Sequence, residues 1–456
     1  MSAKRVVLVA AALAIPCFWQ SRVQAGDLAS HAYNTWLATL IEQGKAPGLV
    51  VVPQFTNVLF DLVLAWLTSA VGSAWAQKIA VAASVEILVW GGAALAWTVT
   101  GRRAWFLMPC LAMLGYGAVF HYGFFNFYLS FGFCLWALAA LQARRYFAVP
   151  FLVALAFLAH ALPLAWAIAV AIYAWLARRA RLRIALPVAA LLFVVALRIF
   201  LMARFPTRAY AGQTMFATGA DQLWIYGPKY LILAFLLLLI WAMMFAQVAD
   251  PLRRVPFQVA LLTAAGVVLI PTAILLPGYR HMLVYISDRM SLATAVAVCV
   301  TLAAASPPRP LKAAMAALAA VYFAFLYTDT RALNHIEDSV EAAVSALPPG
   351  QRFSNGMASP YVRIDPISHM IDRACIGRCF SYGNYEPSTH QFRVRAVAAN
   401  PVVLAGYGES YLLQTGGYVV EPRDLPLYAV VCAGPPDRCV RPFAAGETAR
   451  LAPIAW

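Results

Sequence analysis

The sequence predicts an α-helical polytopic membrane protein with about eleven transmembrane helices and a C-terminal extracytoplasmic α+β domain. Three observations predict it. Of 456 residues, 63% are hydrophobic and 12% charged, about half the charge of an ordinary soluble domain. Apolar runs alternate with short basic clusters, as in bilayer-spanning chains. The composition changes near residue 328, where Pro, Gly and acids rise and apolar runs shorten.

The net charge of +15 is unevenly divided. Residues 1–327 carry 23 Lys+Arg against 7 Asp+Glu, a net +16, and residues 328–456 carry 11 against 12, a net −1. The basicity therefore sits in short loops between apolar runs, the positive-inside pattern. The polar domain has no basic stripe with interleaved aromatics, which argues against nucleic acid as a partner.

The first apolar run follows Lys4/Arg5 and ends before Val23-Gln24-Ala25, a stretch resembling a signal-peptidase site. The runs that follow span about 78–100, 104–120, 124–142, 146–160, 162–177, 184–203, 229–248, 257–276, 284–305 and 311–327. Arg102/Arg103, Arg144/Arg145, Arg178/Arg179/Arg181/Arg183, Arg253/Arg254 and Arg309/Lys312 fall between alternate runs and mark the cytoplasmic side. Eleven crossings that start inside leave the C-terminus outside. The chain thus divides into a transmembrane domain, 1–327, and an extracytoplasmic domain, 328–456. The runs 146–160 and 162–177 are short, and His160-Ala161-Leu162-Pro163 between them fits a broken, cavity-lining pair.

Two outer loops are long, at about 20–77 and 204–228. The first contains two predicted helices, 28–43, stopped by Gly44, and an amphipathic one at 55–70, both expected on the membrane surface. In the tail, 330–346 reads as helix and 400–404, 417–420 and 427–432 as short strands.

Cys17, Cys110, Cys134 and Cys299 fall in apolar runs and suit packing. Cys375, Cys379, Cys432 and Cys439 lie in the outer domain, where two disulfides are expected. A four-cysteine zinc site is the rival, but Cys432/Cys439 misses the usual spacing. The spacing leaves the connectivity open.

Few groups in the first 327 residues can carry chemistry. Asp27, Glu42, Asp61, Asp221 and Asp288 fall outside, and Glu86 falls within a run. His31, His121, His160 and His281 all fall at the outer level. Asp27 and His31 are i,i+4 and share a helix face, so together they could form a base with its orienter, or half a metal site. Asp27 could equally be a helix N-cap. Arg204, Arg208, Lys229, Arg280 and Arg289 form an outer basic set suited to phosphate or to headgroups. Tyr122, Phe124, Phe125, Phe127 and Tyr128 crowd the same level, as an interfacial belt does. The motifs of ATP-driven transport and of serine or zinc proteolysis are missing.

One N-terminal helix, an outer loop with the early acid Asp27-x3-His31, the stretch from Leu40-Ile41-Glu42-Gln43-Gly44-Lys45-Ala46-Pro47 and the helix entry Ala76-Gln77-Lys78-Ile79-Ala80 together resemble GT-C-type membrane glycosyltransferases. Several members have an adjacent Asp-Glu pair where this chain has Asp27-Leu28. The resemblance implies a retained first helix. It also implies a polyprenyl-phosphate-linked sugar as donor and transfer to an acceptor at the outer face of a bilayer, such as a bacterial inner membrane with the C-terminus periplasmic. Asp27 would be the base, with His31 or Asp221 as further catalytic candidates. Arg204, Arg208, Arg280, Arg289, His121 and His160 would face the substrate, and a divalent metal is a possible cofactor. The alternatives are a non-enzymatic lipid or small-solute transporter, or a structural subunit of an envelope-assembly complex.

Overall fold

A computed structural model describes residues 3–179, 185–360, 362–454 and 456. Arg181 and Arg183 of the third basic cluster, and the first residue of the run 184–203, lie outside these. The chain is mostly helical. In order come α1 (Ala3–Phe18), α2 (Leu28–Glu42), α3 (Leu59–Val71), α4 (Ser73–Thr100), α5 (Met108–Gly115), α6 (Ala118–Tyr122), α7 (Phe125–Gln142), α8 (Ala148–Ala159), α9 (Ala161–Ala177), α10 (Ala185–Arg204), α11 (Pro228–Phe245), α12 (Val255–Leu269), α13 (Ile286–Leu302) and α14 (Arg309–Ser345).

The apolar runs of the sequence fall mainly on helix, except that the run 257–276 leaves its helix at Leu269 and forms the strand Ala273–Ile274. Among the described residues, six helical stretches are long and apolar enough to cross a membrane: α4, the stretch Trp105–Tyr122, α7, α10, α11 and α14. The others are shorter. α8 and α9 have 12 and 17 residues and break at His160, whose backbone is extended (φ −169°). His160 caps α9, its Nδ1 accepting the Leu162 amide at 3.1 Å.

Two helices show opposite surroundings for similar apolar sequences. In α13 nearly every residue is buried, so it needs no polar face. In α10 no residue is buried, and Leu192, Phe193, Ile199 and Phe200 stand exposed. α14 runs unbroken past residue 328. No Gly or Pro interrupts it until Pro348-Pro349-Gly350, so one helix links the apolar part to the tail. The tail therefore begins inside a helix and not in a linker.

The tail adds α15 (Met370–Cys375), α16 (Glu386–Thr389) and a four-stranded sheet in the order 440–442, 427–430, 352–355, 380–381. The strand 352–355 runs parallel to both of its neighbours, and 440–442 runs antiparallel to 427–430. The expected strands at 417–420 and 427–432 correspond to Tyr418–Val419 and Leu427–Val430. The stretch 400–404 forms no strand; Val402, Val403 and Leu404 are buried as loop side chains instead. Disulfides join Cys375 to Cys379 and Cys432 to Cys439.

The tail is clamped to the first outer loop. Leu49–Val51 pairs antiparallel with Val394–Ala396. Asn34 and Asn384 exchange amide hydrogen bonds, and Gln24 donates to Glu337 at 2.7 Å. α2 is consequently no surface helix: ten of its fifteen residues are buried, because the tail covers what would otherwise be its free side. Gly44, in the left-handed region (φ +70°), ends it. α3 keeps the amphipathic form expected of it, burying Phe60, Asp61 and Leu64 and exposing Leu62 and Trp66.

Candidate active site

Asp27 begins α2, and two glycines fix where. The segment Gly26-Asp27 lies against 121–123, with the Gly26 amide donating to the His121 carbonyl (2.9 Å) and the Asp27 amide to that of Tyr122 (3.0 Å). A Cβ on Gly123, itself at φ +83°, would fall 2.4 Å from the Asp27 nitrogen, and one on Gly26 would fall 2.9 Å from the Tyr122 oxygen. Side chains at either position would push Asp27 away. Asp27 occupies the N-cap position, yet its carboxylate makes no capping hydrogen bond. It is 23% exposed and points instead toward the tail, with His369 Nε2 at 3.4 Å from Oδ1.

His31 shares the face of α2 with Asp27 but pairs elsewhere. Its Nδ1 lies 2.7 Å from Asp61 Oδ1, and Asn126 Nδ2 donates to Asp61 Oδ2 at 2.8 Å. Burial disfavours the charged ring, but Asp61 outweighs it and the His31 pKa is raised to about 9. Nearby, Ser30 donates to Glu386 (3.0 Å). Burial pushes that carboxyl up to about 7, against the charge of His31.

Of the outer cations, Arg289 alone enters this neighbourhood. It stands on the first turn of α13 with its guanidinium 3.8 Å from the Phe124 ring centre, and its buried Nε has no hydrogen-bond partner among the described residues. The charged and titratable groups acting on it are Asp27, Tyr385, Asp288 and Tyr285. Tyr285 holds a left-handed backbone (φ +59°), costly for a bulky side chain and frequent at functional sites. Its ring meets Tyr122 at 5.0 Å and Phe124 at 5.7 Å. The aromatic cluster of the sequence thus divides. Tyr122 and Phe124 join this half-open platform, whereas Phe125, Phe127 and Tyr128 are fully buried packing.

Apart from His281, on which Asp27 and Arg289 both act electrostatically, the remaining candidates do not converge on Asp27. Arg204, Arg208 and Arg280 are exposed. Lys229 pairs with Asp329 at 2.6 Å. His121 is buried, its Nδ1 3.1 Å from both the Gln24 carbonyl and the Tyr226 hydroxyl. His160 is the α9 cap. His281 leans on Tyr407, and Glu86 accepts from Trp90 one turn along its own helix (2.7 Å). Asp221 is locked, with Arg363 Nη2 3.1 Å from Oδ2 and 3.4 Å from Asp288 Oδ1. Ser291 also donates to Asp221 (3.0 Å). Burial still pushes the Asp221 carboxyl up to about 6, against the pull of Arg363.

His369, Asp372 and Tyr385 belong to the tail, outside the apolar part where the sequence pattern places the candidate residues. The spacing His369-x-x-Asp372 is the one signal that could have pointed to them. Among the described residues no three His, Cys, Asp or Glu side chains are gathered as a metal would require. A larger cavity of about 690 Å³ lies elsewhere, lined by Leu138, Trp166, Trp175 and Val259 and reaching Gln142 and Arg178. That is the far end of α7, about 27 Å from its start. Comparison of the chain with protein-family models, curated proteins and solved structures matched none of them.

Proposed function

We propose that this chain is a polytopic membrane enzyme of GT-C type, crossing the bilayer about eleven times. In this reading it moves a sugar from a polyprenyl-phosphate donor to an acceptor at the outer face. The observation that carries the reading is Asp27: a carboxylate at a helix start, unused as a cap, held by close backbone packing within electrostatic reach of Arg289, whose Nε has no hydrogen-bond partner among the described residues.

The membrane reading is supported by α10, in which no residue is fully buried and Leu192, Phe193, Ile199 and Phe200 stand exposed, an apolar surface that needs an apolar solvent. The two disulfides support an oxidising compartment for the tail, hence a periplasmic C-terminus in a bacterial inner membrane. Chemically, the acceptor hydroxyl oxygen forms a bond to the anomeric carbon as the bond from that carbon to the phosphate oxygen breaks. The hydroxyl proton passes to Asp27, and the electron pair leaves with the polyprenyl phosphate. Arg289 offers a positive charge for the phosphate, and the Tyr122–Phe124–Tyr285 platform offers an apolar face for a sugar ring. The residues present do not form a three-ligand metal centre, and no step is routed through a metal.

The test compares lipid-linked sugars in a deletion strain complemented with wild type, Asp27→Asn or Asp221→Asn. The expected result is a lipid-linked sugar that accumulates without the protein and with Asp27→Asn. Loss of a general base lowers the rate by roughly 10²–10⁴-fold. An unchanged sugar profile in the deletion strain overturns the reading. Full complementation by Asp27→Asn together with failure of a stably folded Asp221→Asn moves the chemistry to the other long loop.

A further inference from the structure

Asp27 is one end of a chain of polar groups that runs into the tail. His369, just before α15, presents Nε2 to Asp27 Oδ1 at 3.4 Å and Nδ1 to Asp372 Oδ2 at 2.8 Å. Asp372 is buried, and its other oxygen accepts the Ser381 hydroxyl. The imidazole therefore stands between two carboxylates, and its orientation is fixed from the inner side by a group that is itself fixed. Tyr385 closes on the ring at 5.6 Å between centroids.

We propose that His369, oriented by Asp372, is a positioning residue that holds one oxygen of Asp27 so that the other faces the acceptor hydroxyl. The inference rests on the reading of Asp27 as the base. His369 exchanges no proton with substrate in this scheme. It donates Nδ1–H to Asp372 and directs Nε2–H at Asp27, which requires the charged ring. The groups facing it agree. Asp27 approaches from α2, Asp372 from its own helix, Glu386 from α16 and Asp365 from the preceding loop. Arg289, on α13, is coupled electrostatically to Asp27. Burial disfavours the charged ring, but Asp372 and then Asp27 outweigh it and raise its pKa to about 9. The arrangement also explains why the tail is clamped to the first loop: a base on one part and its orienter on another work only if the two are held in register. A misplacement of about 1 Å can lower a rate on the order of 10²-fold.

Two measurements on the full-length protein test this. The first needs no activity. In ¹⁵N-histidine-labelled protein in lipid nanodiscs, the resonance absent from His369→Gln should titrate near pH 9. Its midpoint should fall in Asp27→Asn, because removing a neighbouring negative charge weakens the hold on the proton. It should fall further in Asp372→Asn. An unchanged midpoint in Asp27→Asn overturns the pairing. The other uses membranes of the producing strain with their own lipid-linked sugar pool. The wild-type rate should decline as the pH passes about 9. His369→Ala should lower the rate on the order of 10²-fold. His369→Gln, which keeps an N–H donor but cannot titrate, should recover part of the rate and lose the alkaline decline. A wild-type rate and profile in His369→Gln sinks the proposal, since a merely structural histidine would leave the pH profile in place. If wild-type membranes transfer nothing while the histidine midpoint still moves, the sugar-transfer reading fails and the pairing stands.

Discussion

Asp27 and Asp221, one in each long outer loop, are both isolated outer acids in the sequence, and the fold treats them in opposite ways. Asp221 is 5% exposed and engaged by Arg363 and Ser291. Asp27 is 23% exposed, makes no cap and meets only the edge of His369. Arg363 bridges two carboxylates in a closed space, with its guanidinium over Phe216 at 4.7 Å. The loop at 20–77 leaves its acid partly open beside a cation. The contrast teaches that one tail meets both loops in different ways: through a closed ion cluster at Asp221 and through a single partly open contact at Asp27.

That contrast can be broken by experiment, and on a stability scale the expected effects descend as follows. Arg363→Met should be the most damaging, because it strands Asp221 and Asp288 without their cation. Removing one partner of a buried pair costs about 3–5 kcal/mol, read as a large drop in the unfolding midpoint of protein in nanodiscs. A loss under about 1 kcal/mol would mean that water reaches the cluster.

The pH dependence of the first loop comes next. His31 has a folded pKa of about 9 against an ordinary 6.5, so its contribution is complete below 6.5 and is lost as the pH rises through 9. The Asp61 pKa is lowered, by His31 and Asn126 against the effect of burial, so its contribution is present above the ordinary carboxylate value and lost on acidification. The alkaline loss amounts to about 3 kcal/mol. The unfolding midpoint should fall between about pH 6.5 and 9, and His31→Gln should remove that dependence. The same slope in the variant would assign it to another group.

Replacing Cys375 and Cys379 by Ser opens a very short loop and should cost about 2 kcal/mol, measured by denaturation under non-reducing conditions. Thiol labelling of the unfolded, unreduced wild type should also miss both residues.

Asp27→Ala should change stability least, within about 0.5 kcal/mol, since no cap hydrogen bond is lost. A destabilisation of the size expected for a lost N-cap, about 1 kcal/mol, would return Asp27 to a structural role and erase its difference from Asp221.

Much of the helical framework was legible because burial leaves a local mark. A continuous apolar run reads as helix whether it ends up like α13, enclosed by protein, or like α10, enclosed by none. Gly44 marked the end of α2 because only a residue tolerant of positive φ ends a helix that way. The short pair α8 and α9 was legible from the break at His160-Ala161-Leu162-Pro163; less legible was where α12 stops, at Leu269 within the run 257–276. The site was only half legible. Asp27 stood out as an early outer acid, but its partner is 342 positions away in sequence. His31 seemed paired with Asp27 by helical spacing, yet Asp61 lies closer to it through the packing of α3 on α2.

The sequence by itself determined the apolar helices, the basic loops between them, the change of character near residue 328 and which four cysteines of the tail were available for disulfides, because each follows from composition or short-range spacing. The tertiary structure alone decided that the tail covers α2, that Gly26 and Gly123 allow two backbone segments to meet at Asp27, that Arg289 acts on it electrostatically, and that Asp221 is locked by Arg363. These are contacts between residues far apart in the chain, and a hydrogen bond or an ion pair depends on ångströms that no local pattern encodes.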